Sequence, residues 1–361
     1  MVEHRLQEWI ADPNGGRPLA KAKPTRPSMA DVAKLASVSA QTVSRYFTGV
    51  GYVRAETRER VAAAIEELGY VPNQSARTLR TSRTNSVGVL SIGALNYGSA
   101  SVLTGLGLAA READVTLTIA QLDLDFEARN WEGEARRALD HFKSVQVDGI
   151  VLSTPIPGVD KLLDGWDQST PLMTVSELPS TGGGSAGAHS HAAGWQATRH
   201  LIGLGHRDIL HVAGPSTRNE AKERERGYRD AMENAGLSPQ VIDVAHDWSS
   251  ISGFKAGELA DPATFTAVFA SNDEIALGFM SAMERRDAKA PRDFSVVGVD
   301  DMPAAAYFSP PLTTMRIDFR ALGIATFKML RHQILTGERA EHYVEEPELV
   351  VRESTSGVTR R

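Results

Sequence analysis

Gln41 and Arg45 stand four residues apart, with Ser39, Ala40, Thr42 and Ser44 around them, in the stretch SMADVAKLASVSAQTVSRYFTG. On a helix, positions i and i+4 share a face, so this spacing sets a glutamine amide beside an arginine guanidinium. Those two groups pair bidentately with adenine and guanine edges in a major groove, and serine or threonine hydroxyls suit phosphate oxygens. The candidate DNA-contacting set runs from Ser28 through these six residues to Thr48. On spacing alone, an ordinary helical hairpin with a solvated polar face remains the alternative.

The elements that would position those side chains are readable around them. Ser28 is placed to cap a helix, with Asp31 three residues on, and Val32, Ala33, Leu35 and Ala36 keep helical spacing. Ser37-Val38-Ser39 predicts a short turn. Ser39 then caps a second helix over residues 40–47, with Val43 and Phe47 facing inward, and Gly49-Val50-Gly51 breaks it. A third helix over 55–68 is expected to bury Val61, Ala64, Ile65 and Leu68 and to stop at Gly69. Three small helices with a tight turn between the first two are the elements of a helix-turn-helix.

After Asn85 the pattern changes to apolar strand-like runs alternating with helical stretches. Strands are expected near 87–92, 115–120, 149–153 and 172–175, then a Gly/Ser-rich loop at STGGGSAG and a helix over 191–204. A second series follows, with strands near 209–212, 241–244, 266–269 and 295–299 and helices over 221–235 and 274–285. Alternation of this kind means parallel sheets covered on both faces. Two such series predict two similar α/β subdomains, with a ligand cleft near the carboxyl ends of their strands.

Composition sets bounds. At 361 residues the chain is too long for one ordinary domain, and the absence of cysteine excludes disulfides, thiolate metal sites and a cysteine nucleophile. No run approaches the ~20 apolar residues of a membrane span, and MVEHRLQEWI lacks the apolar core of a secretory signal, so a cytoplasmic protein with no membrane partner is expected. The net charge of −6 argues against nucleic acid only until it is divided: residues 28–84 carry eight Lys/Arg against five Asp/Glu, and residues 85–361 carry 26 against 37. A basic module on an acidic body permits one end to meet phosphate.

ADVAKLASVSAQTVSRYFTG, followed by TRERVAAAIEELGYVPNQSARTLR, resembles the headpiece of the lactose/galactose-repressor family. LGHRDILHVAGP, RGYRDAMENAGL, VFASNDEIALGFMSAM, FSVVGVDDMPAAAYFSPPLTTMRIDF and PELVVREST resemble that family's later blocks, in the expected order, over roughly nine-tenths of the chain. The resemblance implies a hinge helix at residues 72–80 that forms on operator DNA, with Leu79 as a minor-groove wedge and Arg80 beside it. Unstacking one base step costs a few kcal/mol and is recovered by bending DNA onto more protein. Read by itself, the segment is a polar linker.

The same resemblance implies a periplasmic-binding-protein type of body and an effector site. It places Arg224 (in RERGY), Trp248 (in DWSSISGF, similar to galactoside-responsive repressors), Asn272 (in ASNDE), Asp300, Ile317 and Phe319 (in RIDF) around a sugar. Each has a structural alternative: a solvated helix face for Arg224, a core aromatic for Trp248, a helix cap for Asn272, a turn cap for Asp300. The chain also departs from the pattern. Ala193 and Ser190 stand where members carry an acidic residue, so one hydroxyl-gripping carboxylate is expected to be missing. Ile317 replaces a glutamine, and Ala40 replaces a bulkier base-reading residue.

Other signals were weaker. Gly105-Leu-Gly107-Leu-Ala-Ala110 satisfies a relaxed dinucleotide fingerprint but lies inside a helical stretch. His189, His191, His200, His206 and His211 lack the clustered carboxylates or cysteines of a metal site. No nucleophile elbow is present, so neither enzyme, cofactor nor metal is expected. The fold class is therefore α/β, with an N-terminal helix-turn-helix headpiece and two doubly wound parallel-sheet subdomains. The expected domains are a disordered extension 1–27, headpiece 28–71, hinge 72–84, a first subdomain 85–205 with 319–345, a second 206–318 with 346–355, and a tail 356–361. The function expected is a transcriptional repressor binding a near-palindromic operator in double-stranded DNA as a homodimer, with a sugar, first of all a galactoside, as effector. The alternative is a periplasmic-type sugar-binding protein without DNA function, which would explain residues 85–355 but needs a signal peptide and no headpiece. An α/β enzyme such as a sugar kinase would need a phosphate-cradling glycine loop.

Overall fold

The computed structural model describes residues 27–49, 51–71, 83–122, 131–153, 162, 169–177, 184–339 and 341–358. The chain divides into two compact units, residues 1–80 and 81–361.

The first unit is built from α1 (Met29–Leu35), α2 (Ala40–Thr48) and α3 (Ala55–Leu68). Ser28 and Asp31 form a reciprocal capping box on α1: the Asp31 carboxylate accepts from the Ser28 backbone N–H at 2.8 Å, and Ser28 Oγ accepts from the Asp31 N–H at 3.3 Å. The Ser28 hydroxyl, donating to the Asp31 carboxylate at 2.7 Å, and the Ser28 backbone N–H together hold that carboxyl below its usual range. Ser37 takes a left-handed φ of 56° in the turn, and Ser39 Oγ caps α2 by accepting from the Thr42 N–H at 3.1 Å. Val32, Ala36, Val43, Val61 and Ala64 form the core, with Ile65 and Leu68 only half-buried at its edge. The sequence expectation that Phe47 faces inward is corrected. Tyr46, three residues from Val43, packs on the core, while Phe47 stays 36% exposed at the rim against Tyr46 and Tyr70. A helix turns about 100° per residue, so i+3 and i+4 flank the inward direction, and here i+3 takes it.

Among the described residues the second unit forms two six-stranded sheets. The first has the order β11-β5-β4-β3-β1-β2 and is parallel throughout, using β1 (Ser86–Ile92), β2 (Thr116–Leu122), β3 (Gly149–Ser153), β4 (Leu172–Val175), β5 (Gly184–Ala188) and β11 (Tyr343–Glu345). The second has the order β12-β10-β9-β8-β6-β7, from β6 (Ile209–Val212), β7 (Gln240–Ile242), β8 (Ala267–Ala270), β9 (Ser295–Asp300), β10 (Thr313–Arg316) and β12 (Glu348–Val350). Only β12 runs antiparallel to its neighbour. On the first sheet, α4 (Tyr97–Glu112) and α10 (Phe319–Thr336) bury Val102, Leu106, Phe327 and Leu330 on one face, and α5 (Trp131–Ser144) buries Leu139 and Phe142 on the other. On the second, α6 (Ser190–Gly203) and α7 (Asn219–Asn234) cover one face, and α8 (Ser250–Leu259) and α9 (Asp273–Glu284) cover the other. Strands buried on both faces are what doubly wound sheets require. Among the described residues no helix is long and apolar enough to cross a membrane.

Two readings of the sequence change here. STGGGSAG was expected to be a loop, yet Gly184–Ala188 is a fully buried strand. Its residues are small because a side chain on Gly187 would strike the backbone of Ser176 and Glu177. The helix expected at 191–204 was assigned to the first subdomain, with a boundary at 205. Instead α6 packs Ala193, Ala197 and Leu201 into one cluster with Tyr228 and Met232 of α7 and Ile209 and Phe269 of the second sheet. The chain therefore crosses between lobes at His189, at Ile317-Asp318 and at Glu346-Pro347.

Helix pairs approach closely through glycine. On α6 and α7, a side chain on Gly194 would meet the backbone carbonyl of Arg224, and one on Gly227 that of His191. Gly253 and Gly278 do the same for α8 and α9, and Gly105 and Gly323 for α4 and α10. Gly105, part of the rejected dinucleotide pattern, is thus a packing residue.

Candidate functional site

In the first unit, α2 turns Ser39, Ala40, Gln41 and Arg45 to the surface, with Thr42 and Ser44 half-buried. Ser28 and Ser39 spend their hydroxyls on capping, and Ser39 Oγ lies 2.9 Å from Thr42 Oγ1. Arg45 lies along Gly51, which has a φ of +95°. Exposed Tyr52 (85%) and Arg54 follow, a pair that the sequence reading missed. Thr48 closes α2. Leu79, Arg80 and the remainder of the hinge at 72–82 lie outside the described residues, as do residues 1–26.

In the second unit, one cleft collects the carboxyl ends of strands from both sheets, the place where open α/β sheets bind small molecules. Four of the predicted residues line it: Arg224, Trp248, Asp300 and Phe319. Trp248 lies against Gly214, where a side chain would collide with the indole, and the Arg224 guanidinium carbon sits 5.2 Å from its ring centroid. Phe319, at the start of α10, rests on Gly98 and meets Tyr97 edge-on at 6.3 Å. Two aromatic side chains thereby face the cleft, Trp248 from the bend before α8 on the second lobe and Phe319 from the start of α10 on the first.

Arg224 is buried and almost fully committed: Nη1 donates to the Ser271 carbonyl at 2.6 Å and Nη2 to Asp300 Oδ1 at 3.3 Å. Asp300 ends β9 with a φ of 112°, a conformation few L-residues adopt. Burial pushes its carboxyl up to about 6, against the pull of Arg224. Strain at a buried charged residue in a cleft is a marker of function.

Asn272 and Ile317 are placed elsewhere. Asn272 caps α9, accepting from the Ile275 N–H at 2.8 Å, and its amide donates to the Trp248 carbonyl at 3.1 Å. It positions the tryptophan and is not part of the cleft lining. Neighbouring Asp273 is also turned into structure, accepting from Thr314 Oγ1 at 2.6 Å and the Met302 N–H at 2.8 Å. Ile317 is buried in the core of the second lobe with Met315 and Val299, where its apolar side chain offers the cleft no hydrogen bond.

A carboxyl that the sequence reading did not name stands in the cleft lining. Glu177, just beyond β4, accepts from the Ser190 N–H at 3.0 Å and the His191 N–H at 3.4 Å. Burial raises its pKa in spite of those bonds. Glu220, in the first turn of α7, also lines the cleft, and burial pushes it up to about 7. Arg218 precedes it, donating to the Ile92 carbonyl of the first lobe at 3.4 Å, with its own pKa lowered by burial. The sequence contained the clue: Glu220 and Arg224 are four apart and share a helix face. Ser91, Asn96, Ser99 and Ser153 complete the polar lining from the first lobe.

A helix-turn-helix with a polar outward face and a cleft between two α/β lobes, in one chain, are the parts of a ligand-responsive regulator. Residues 28–73 match the model of bacterial regulatory proteins of the lacI family, and residues 198–355 match the periplasmic binding protein-like domain. The chain is 32% identical over 336 residues to the HTH-type transcriptional repressor PurR of Vibrio campbellii, covering 89% of this chain and 96% of that one. It is 31% identical over 312 residues to the ribose operon repressor of Escherichia coli, covering 85% and 93%. The lac repressor dimer bound to operator and the anti-inducer ONPF superposes with a TM-score of 0.83 at 25% identity, covering 92% of this chain and all of that one. The transcriptional regulator CelR in its cellobiose complex gives 0.66 at 28% identity, covering 91% and 100%. The chain belongs to the lacI family and is a ligand-responsive, DNA-binding transcriptional repressor.

Proposed function

We propose that the effector is a sugar, that the repressor acts in the cytoplasm as a homodimer on a near-palindromic operator, and that it catalyses no reaction. The observation that carries the sugar reading is the cleft's composition. Two aromatic faces, Trp248 and Phe319, stand among hydroxyl, amide, carboxyl and guanidinium groups, which is the mixture a pyranose or furanose needs for its apolar face and its hydroxyls. A ribose operon repressor and a cellobiose complex among its relatives support the same class. The galactoside guess rests on the DWSSISGF block alone. Gln41 and Arg45 would read base edges, and residues 72–80 with Leu79 and Arg80 would couple the cleft to the operator. A transport protein without DNA function does not account for the helix-turn-helix.

The test is to select operator DNA from a randomised palindromic library and measure its release by anisotropy against D-galactose, D-ribose, D-glucose and cellobiose. At least one sugar is expected to loosen operator binding by 5- to 150-fold, the usual range of allosteric coupling. Trp248→Ala is expected to lose that response while still binding the operator. Release by hypoxanthine and by none of the sugars would move the effector to a planar base.

A further inference from the structure

The cleft's polar atoms are unevenly satisfied. Oε2 of Glu220 and Nε of Arg224 are both shielded from solvent and have no hydrogen-bond partner among the described residues. The first is an acceptor, the second a donor, and both belong to cleft-lining residues on one face of α7. A buried polar atom without a partner is costly, so a ligand that reaches and satisfies both is favoured at each. A hydroxyl group is both donor and acceptor. Adjacent hydroxyls on a sugar ring answer such a pair.

Charge narrows the choice further. The described lining holds three carboxyls, Glu177, Glu220 and Asp300, against two guanidiniums, Arg218 and Arg224. Arg224 is already bonded to Asp300 and Ser271, and Arg218 reaches the Ile92 carbonyl. A phosphate or carboxylate on the ligand would add negative charge beside an existing excess, in a place where burial already disfavours charge.

We propose that Glu220 is a specificity-determining residue that restricts this cleft to uncharged sugars by accepting a ligand hydroxyl and excludes phosphorylated and acidic sugars. The inference rests on the sugar reading above and deepens it. Burial lifts Glu220 to about 7, with Arg224 and Arg218 pulling it down and Glu177 pushing it up. It therefore meets a hydroxyl as acceptor or donor near neutrality, while an anionic group meets either a like charge or a carboxyl forced to keep its proton.

The experiment is calorimetric titration of the full chain with D-galactose, D-ribose, D-glucose and cellobiose beside D-ribose 5-phosphate, D-glucose 6-phosphate and D-galacturonate, with hypoxanthine as a non-sugar probe. Wild type is expected to bind at least one neutral sugar and none of the charged ones. Glu220→Gln keeps the shape but removes the carboxylate, and is expected to weaken the neutral sugar roughly tenfold or more, the size of a hydrogen bond to a charged group. Glu220→Lys is expected to admit a phosphorylated sugar. A cooperative melting transition in each variant separates loss of binding from loss of fold. A charged sugar binding wild type more tightly than its neutral parent, or a folded Glu220→Gln with unchanged affinity, overturns this inference and leaves the sugar reading standing. Hypoxanthine binding with no response to any sugar overturns both.

Discussion

Glu220 makes its presence felt in stability as well as in selectivity. Its carboxyl, lifted by burial to about 7 in the folded chain, titrates near 4.5 once unfolded. The folded state therefore favours the proton, and the stability linked to it is fully present below about pH 4.5 and lost as the pH rises through about 7. The whole-protein curve blends this with an opposite effect. Burial lowers His200 and His206, and holds His211, packed against the rings of Tyr228 and Phe269, at about 3, so those residues favour the folded state as pH rises toward 6.5. The clean reading is the difference between Glu220→Gln and wild type in urea denaturation without ligand. That difference is expected to shift in favour of the variant by about 1–3 kcal/mol between pH 5 and pH 8, after discounting for a side chain that is only half-buried. A difference independent of pH would show that Glu220 keeps an ordinary pKa.

At the scale of elements, the reciprocal glycines of α6 and α7 fix how far Arg224 enters the cleft, since Gly194 lies against the Arg224 backbone and Gly227 against that of His191. Gly227→Ala puts a methyl group where a carbonyl already sits, and overpacking of this kind costs about 1–3 kcal/mol. The variant is expected to melt earlier and to bind the effector more weakly than its stability loss accounts for; unchanged melting would mean that the helices can part freely. These contacts show which features the sequence could convey. Local grammar was readable: α3 spans the expected residues 55–68 and ends at Gly69 in the left-handed region, and Ser39 caps α2. What depended on distant partners was not. The choice of Tyr46 over Phe47, the strand made of GSAGA, and the lobe to which α6 belongs were all decided by packing against residues far along the chain. In the cleft, Arg224, Trp248, Asp300 and Phe319 were legible through the resemblance, whereas Glu177 and Glu220 were hidden in ordinary charged stretches. Asn272 and Ile317 carried the family's position without a place in the lining.

At the scale of the whole molecule, the proposed function makes a reciprocal demand. One helix-turn-helix reads only half a palindromic site, so the chain is expected to sediment at twice its mass of 39.0 kDa, and a monomer at micromolar concentration would contradict the operator reading. A sugar that loosens operator binding must itself be loosened by operator, by the same factor; titrations with and without saturating DNA measure both, and unequal factors would place the effector outside a simple two-site linkage. The three crossings between lobes have a further consequence, for synthesis. The first sheet opens with β1, yet its edge strand β11 and its covering helix α10 follow the entire β6–β10 series of the second sheet. A ribosome releases the chain in order, so the early lobe must wait, short of one strand and one helix, until more than a hundred further residues have emerged. During that interval its open edge and uncovered apolar face are the exposed surfaces that invite aggregation, which makes the nascent chain a natural client for chaperones.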